Sequence, residues 1–270
     1  MKNWNKTEYK ELQNRLFEEA EEGYRDFVLN GLITERPILG VRIPKCKVIA
    51  KEILAGCVNE GVVREEMISN FLKNEPVAFE EVAVRGYVIA GLPYERMKRE
   101  MYPFIQLIDN WEICDTFCAE MKKNIRKNQT DFLNEIDKML KSLDEFQTRV
   151  ALVCLLDHYV SADYLNVIFD RIADIAKYLS DGEGEMSVVR KKGETGGERI
   201  GTVLSWDAYY VKMAIAWLIS VCFAKFPDET LLFFEDLKLP RWTYNKAISK
   251  TCESYRVDKS LKEELRRFRR

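Results

Sequence analysis

Histidine is nearly absent from this sequence, and closely spaced cysteine pairs are missing. The 270 residues include one histidine, His158, and seven cysteines, an odd number with no CxxC pair among them. Zinc sites and Cys-His nucleophile pairs need these residue types close together, so the sequence supports neither. We expect no metal site and no cofactor, and we expect the cysteines to be buried, reduced thiols.

The sequence also lacks a hydrophobic run long enough to cross a membrane. The longest apolar stretch is AIAWLISVCFA at 214–224, which is shorter than the roughly 20 residues that a transmembrane helix needs. The N-terminal residues MKNWNKTEYKEL lack the apolar core of a signal peptide. We therefore expect an intracellular protein with no membrane contact.

Glycine and proline are scarce, and strand-like patterns are rare. The 13 glycines and 7 prolines fall mostly between apolar stretches, as in ERPILGVRIP and KFPDE. Within the stretches, apolar residues recur every three or four positions, as in DFLNEIDKMLKSLDEFQTRVALVCLLDHYV. This period is typical of amphipathic α-helices. The sequence predicts an all-α fold with roughly twelve helices and no sheet.

Two helical stretches resemble each other and suggest a repeat. FQTRVALV at 146–153 and YYVKMAIA at 209–216 each begin with an aromatic residue and carry Arg or Lys three positions later, before an apolar run. Helix pairs that cannot bury an apolar face alone can do so by stacking. We predict an α-solenoid of HEAT-like antiparallel helix pairs, forming one domain over residues 1–270, with a concave face that suits a rod-shaped partner.

Charge is small in total but uneven along the chain. The net charge is −2, yet residues 241–270 hold ten Lys or Arg against four Asp or Glu. The glycine-rich segment SDGEGEMSVVRKKGETGGERIGT at 180–202 has no helical period and carries Arg190, Lys191, Lys192 and Arg199. Residues 241–270 are either a solvated helix end or a basic surface that contacts nucleic acid. Residues 180–202 are either a disordered surface loop or a flexible basic arm that contacts phosphates.

The stretch DNWEICDTFC at 109–118 combines carboxylates, a tryptophan and two cysteines. Trp111 and Asp115 are four residues apart, so they share one face of a helix and can point into one cleft. Asp109 and Glu112 fall on a rotated face, and we expect them to meet solvent. Without further support, a Trp and an Asp at this spacing are more often a packed ring and a solvated carboxylate.

Five stretches occur in a distinctive order along the chain. They are LGVRIPKCKVIAKE (39–52), NWEICD (110–115), FQTRVALV (146–153), AIAWLISVCFAKFPDE (214–229) and NKAISKTCESYRV (245–257). In this order they resemble the AlkD-type DNA alkylation repair family, which are HEAT-like-repeat DNA glycosylases. The resemblance extends from about Tyr24 to Tyr255. It implies excision of cationic N3- or N7-alkylated purines from double-stranded DNA, without flipping the base into a pocket, in a cytoplasmic, nucleoid-associated protein.

The resemblance also implies site residues. The Trp, Asp and Arg of the family's cleft correspond to Trp111, Asp115 and Arg149 as catalytic residues. Trp217 matches a second cleft tryptophan, and Tyr24 matches a tyrosine near the N-terminus. The candidate DNA-binding cations are Arg42, Lys45, Lys47, Lys246, Lys250 and Arg256, with Arg266, Arg267, Arg269 and Arg270 in the tail. The chain departs from the family pattern at Arg42, where the family can carry Gln, and in the 180–202 insertion.

The implied chemistry suits these residue types. A cationic purine is already a good leaving group, so no strong general acid is needed. A carboxylate and an aromatic face both stabilise the positive charge that develops on the deoxyribose. Asp115 would supply the carboxylate and orient the water, Trp111 would supply the ring, and Arg149 would bind a phosphate.

Three classes of function remain. The first is a monofunctional glycosylase, because no lysine is placed beside Asp115 to form a Schiff base. The second is a non-catalytic relative that binds distorted or branched DNA by its shape. The third is a solenoid that binds another protein. We expect a monomer.

Overall fold

The computed structural model describes residues 2–59, 62–179 and 208–270. Within these ranges the chain forms fifteen α-helices, one 3-10 helix and one hairpin of two-residue strands. The predicted all-α fold is confirmed, although the helices outnumber the roughly twelve that the periodicity indicates and the hairpin was not predicted. Segment 180–202 lies outside the described residues, so its two interpretations stay predictions.

The chain folds as two compact units, Met1–Leu133 and Asn134–Arg270. The predicted single domain over 1–270 stays a prediction. The first unit contains α1 (Lys6–Glu18), α2 (Glu22–Leu29), α3 (Ile43–Cys57), β1 (Val58–Asn59), β2 (Val62–Val63), α4 (Glu65–Lys73), α5 (Phe79–Gly91), α6 (Tyr94–Ile105), α7 (Trp111–Glu120) and α8 (Lys122–Lys127). Helix α9 (Gln129–Ser142) has residues in both units. The second unit contains α10 (Glu145–His158), α11 (Leu165–Ala176), α12 (Tyr209–Lys225), α13 (Pro227–Asp236), α14 (Arg241–Glu253) and α15 (Lys259–Arg266), with the 3-10 helix at Ala162–Tyr164.

Helix α5 is the centre of the first unit. It packs against both α3 and α7, and every residue from Phe79 to Ala90 is buried. Burial on all sides requires neighbouring helices to pack closely against α5, and Gly86 allows α6 to do so. A Cβ at Gly86 would lie 2.7 Å from the Phe104 ring, so the absence of a side chain lets α6 approach α5.

Glu80 is a buried carboxylate of α5 that organises the loop before α3. Its side chain is 0% exposed and accepts three consecutive backbone N–H groups, from Leu39 at 3.0 Å, Gly40 at 2.7 Å and Val41 at 3.1 Å. Gly40 has a φ of 98°, a conformation that residues with a side chain rarely adopt. The charge of Glu80 therefore fixes the LGVRIP loop and the direction in which α3 begins.

Helix α12 is the corresponding centre of the second unit. It packs against α10, α13 and α14. Both α10 and α12 have long buried stretches, including all residues from Thr148 to Leu155, because they have neighbours on several sides. Alternate helices thus pack together within each unit, an arrangement that suits stacked repeats; the solenoid itself stays a prediction. No helix among the described residues is long and apolar enough to span a bilayer.

Replacing Glu80 tests how much the LGVRIP loop depends on its charge. Glu80→Gln leaves one carbonyl oxygen where two carboxylate oxygens accept three N–H groups, so we expect a loss of about 2–4 kcal/mol in the free energy of unfolding. Urea denaturation measures this loss. The exposed Glu66→Gln is the matched control and should change the free energy by less than about 0.5 kcal/mol. Equal stability of the two variants would contradict the assigned role.

Candidate active site

The start of α7 is fixed by two polar side chains. Asn110 is buried, and its Oδ1 accepts the backbone N–H of Ile113 at 3.0 Å, which caps the helix. Asp109 accepts hydrogen bonds from the Asn110 Nδ2 at 2.7 Å, the Thr34 Oγ1 at 2.8 Å and the Glu35 N–H at 3.0 Å. The expectation that Asp109 meets solvent is therefore wrong. It joins the loop before α3 to the residue that precedes Trp111.

Trp111 and Asp115 lie one turn apart on α7. Trp111 is the first residue of the helix and is 43% exposed. Asp115 is partly exposed on the next turn. The residues of α7 that face the core are Ile113, Cys114, Phe117 and Cys118. The packing of these four buried residues fixes the position of α7. It therefore also fixes the helix positions from which the Trp111 indole and the Asp115 carboxylate project.

Tyr24 reaches the same end of α7. Its ring lies 4.9 Å from the Arg42 guanidinium carbon. The pKa of Tyr24 is raised, first by burial and then by the negative charge of Glu112. The structure therefore brings Tyr24 close to Glu112, which follows Trp111 directly.

Glu112 lies with Trp111 and Tyr24 at the start of α7, although it was expected to meet solvent. It is half-buried, and its pKa is raised by burial and then by the charge of Glu80. The sequence contained no signal for this environment, because the burial comes from residues far away in the chain. Carboxylates and aromatic rings meet at the start of α7, and such surroundings favour a positively charged ligand.

The candidate DNA-binding cations of LGVRIPKCK are all held by carboxylates. Arg42 Nε lies 3.0 Å from the Oε2 of Glu21, and Lys45 Nζ lies 2.9 Å from Glu19. Lys47 Nζ lies 2.5 Å from Glu120. A DNA phosphate would have to replace these partly exposed carboxylates, a substitution that costs little because ion pairs in contact with solvent are weak.

In the second unit, Arg149 is part of a clamp around Tyr210. Arg149 is 4% exposed, so it is a buried residue of the second unit. Its Nη1 donates to the Tyr210 carbonyl at 2.9 Å, and its guanidinium carbon lies 5.6 Å from the Tyr210 ring centroid. Glu145 accepts the Tyr210 N–H at 3.0 Å. The first turns of α10 thus hold the first turn of α12; the phosphate contact of Arg149 stays a prediction.

Trp217 lies on a partly exposed stripe of α12, two turns after Tyr210. The stripe also contains Met213 and Val221, and seven residues bring the helix back to the same face. Trp217 is therefore not a core residue of the second unit. Its role as a cleft residue stays a prediction.

Two exposed aromatic residues near the other candidate cations were not predicted. Tyr209 is 45% exposed and Trp242 is 44% exposed, with their ring centroids 6.0 Å apart. Lys246 and Lys250 follow Trp242 by four and eight residues, so they share its face of α14. Neither lysine forms an ion pair within the described ranges. Arg256, which follows α14, is exposed.

Comparison with known protein families matches residues 9–185, more than half of the chain, to the family described as DNA alkylation repair enzyme. The chain belongs to the DNA alkylation repair enzyme family. Membership confirms the resemblance, supports a role in DNA repair and implies DNA binding. The matched residues include Trp111, Asp115 and Arg149, whereas Trp217 and the C-terminal cations lie beyond them. No curated protein matches the chain.

The raised pKa of Glu112 predicts how this family member's stability changes with pH. A carboxyl whose pKa is higher in the folded than in the unfolded state contributes fully below its ordinary pKa, and the contribution is lost as pH rises through the folded value. The side chain of a Glu112→Gln variant does not ionise, so the variant lacks this loss of stability with rising pH. We expect the variant to gain stability relative to wild type as pH rises from the ordinary glutamate range toward neutrality.

Urea denaturation at a series of pH values measures this gain. The exposed Glu75→Gln should follow the wild-type pH dependence and serves as the control. A Glu112→Gln variant that loses stability relative to wild type as pH rises would contradict the assigned environment.

Proposed function

We propose that this protein is a monofunctional DNA glycosylase that hydrolyses the N-glycosidic bond of cationic N3- or N7-alkylated purines in duplex DNA. The observation that carries the proposal is the pairing of exposed Trp111 with Asp115 on one face of α7, beside Glu112 and Tyr24. Family membership supplies the substrate class, alkylated DNA, at the coarser level.

The surroundings of Trp111 suit a cationic base better than a neutral one. Glu112 and Asp115 follow Trp111 on α7 by one and four residues, and the Tyr24 ring, on which the charge of Glu112 acts, adds a second aromatic surface. An acidic surface repels the phosphates of undamaged DNA, whereas an alkylated purine carries a positive charge that both carboxylates and aromatic faces attract. Selection of the lesion by charge follows from this arrangement.

The reaction needs little proton transfer. When the bond between C1′ and the purine nitrogen breaks, its electron pair leaves with the base, which becomes neutral, and positive charge remains on the deoxyribose. Asp115 stabilises that charge and orients a water molecule toward C1′, and the water loses a proton as the new C–O bond forms. Trp111 is exposed, so its ring can meet the nucleoside without extruding the base.

The remaining site residues have binding roles in this proposal. Arg149 orders the start of α12 through Tyr210 and contacts a phosphate beside the lesion. Trp217 lines the surface that holds the nucleoside, and Lys246, Lys250 and Arg256 bind backbone phosphates. The proposal includes a monomeric solenoid that binds duplex DNA on its concave face.

Asp115→Asn in a base-excision assay tests the proposed mechanism. The substrate is a duplex with a single N7-methylguanine, and release of the base is measured under single-turnover conditions with enzyme in excess. We expect the rate to fall by on the order of 10²–10³ while duplex binding is retained. The exposed Asp163→Asn is the control and should match wild type.

The wild-type result separates the three classes of function. Release of the base that depends on Asp115 supports the glycosylase. Duplex binding without release of this or other alkylated bases supports a non-catalytic protein that recognises DNA shape. Failure to bind duplex supports the protein-binding solenoid.

Two substitutions at Trp111 test whether the ring acts through its aromatic face. Trp111→Phe keeps such a face, and Trp111→Ala removes it. We expect the alanine variant to excise the base roughly ten-fold more slowly than the phenylalanine variant, because a desolvated cation–ring contact contributes on the order of 1–2 kcal/mol. Phe17→Ala removes another exposed ring as the control. Equal rates for the two Trp111 variants would exclude the aromatic contribution.

A further inference from the structure

Helix α8 presents a cluster of cations that was not among the predicted DNA contacts. Its sequence is KKNIRK, and Lys122, Lys123, Arg126 and Lys127 are all exposed. Lys122 and Arg126 are four residues apart, and so are Lys123 and Lys127. The four cations therefore share one side of the helix. None of the four forms an ion pair within the described ranges, in contrast to Arg42, Lys45 and Lys47.

The opposite side of α8 is firmly anchored. Ile125 is fully buried, and the Asn124 Nδ2 donates to the carbonyl of Ala90 at 3.1 Å and to that of Leu92 at 2.8 Å. Asn128 in turn donates to the Asn124 carbonyl at 2.9 Å. The middle residues of KKNIRK thus attach the helix to the end of α5, and the outer residues present four charges on a rigid support.

Helix stability does not explain this arrangement. Lys122 with Arg126, and Lys123 with Lys127, are like-charged pairs four residues apart, which weaken a helix. The helix dipole disfavours Lys122 and Lys123 in the first turn and favours Arg126 and Lys127 in the last turn, so it does not offset the repulsion within the two pairs. A cluster that lowers the stability of its own helix is better explained by an anionic ligand.

The cluster borders an open depression of about 550 Å³, which is also lined by Lys47 and Glu120. Glu120, the acid of this lining, is paired with Lys47 at 2.5 Å, and the Lys47 Nζ lies 5.7 Å from the Tyr87 ring centroid. Lys47 therefore balances the negative charge of Glu120, and the four cations of α8 make the surface positive. A concave surface with several fixed cations fits a run of phosphates rather than a single anion.

We propose that α8 is a phosphate-binding surface that holds the backbone of duplex DNA beside the reaction site. The inference rests on the proposed function, which supplies DNA as the ligand. Helix α7 connects Trp111 to α8 and contains ten residues, which is roughly 15 Å of helix. The start of α8 therefore lies on the order of five base pairs from Trp111, measured along a duplex axis.

The salt dependence of duplex binding tests this surface in the full-length protein. The probe is a fluorescent undamaged duplex, and the dissociation constant is measured at several NaCl concentrations. One variant carries Lys122→Gln, Lys123→Gln, Arg126→Gln and Lys127→Gln. The control removes the same number of charges from four exposed, scattered lysines of the first unit that form no ion pair with a described residue, by Lys6→Gln, Lys10→Gln, Lys51→Gln and Lys73→Gln.

Each lost phosphate contact reduces the slope of log K against log salt by about 0.9. We expect the α8 variant to lose about two to four units of slope and to bind at least ten-fold more weakly at low salt, with the control close to wild type. Neither variant should unfold below the wild-type temperature, because the substituted side chains are exposed and the α8 variant also loses two like-charged pairs.

The outcomes separate this inference from the proposed function. An α8 variant with the wild-type slope, or one that matches the control, overturns the inference while DNA binding by the protein stands. A wild-type protein that does not bind the duplex overturns both. An α8 variant that retains its single-turnover excision rate at saturating enzyme, while losing slope, supports a binding role that is separate from the chemistry at Trp111 and Asp115.

Discussion

The candidate site depends on one buried charge, the carboxylate of Glu80. Glu80 lies on α5, yet it determines the loop before α3 by accepting the N–H groups of Leu39, Gly40 and Val41. That loop carries Arg42, whose guanidinium carbon lies 4.9 Å from the Tyr24 ring, and the charge of Glu80 adds to burial in raising the pKa of Glu112. A carboxylate that never meets solvent thus sets both the geometry and the electrostatics of the residues around Trp111.

The helices and the shared face of Trp111 and Asp115 could be predicted because both follow from local spacing. A period near 3.6 identifies a helix, and four residues return to the same side of it. Asp109 and Glu112 were assigned wrongly because their environments come from Thr34, Glu35 and Glu80, which are distant in the chain. Helical spacing gives the direction in which a side chain points, but not the neighbour that it meets there.

The same limit applies to the cations. The sequence gives the number of lysines and arginines but not their partners. It therefore predicted Arg42, Lys45 and Lys47 as DNA-binding cations in the same way as Lys246 and Lys250. The structure separates them, because the first three are paired with Glu21, Glu19 and Glu120. The charge available to a polyanion is what remains after such pairing. The run KKNIRK was recognisable as basic from the sequence, but the sequence did not show that its four cations form no ion pair within the described residues.

The clamp on Tyr210 has a consequence for how the chain tolerates insertion. Glu145 holds the N–H of Tyr210 and Arg149 holds its carbonyl, so α10 determines where the first turn of α12 lies. The register of α12 is therefore independent of the number of residues that precede it. A change in the number of residues before α12 would therefore leave the partly exposed stripe of α12 in its position.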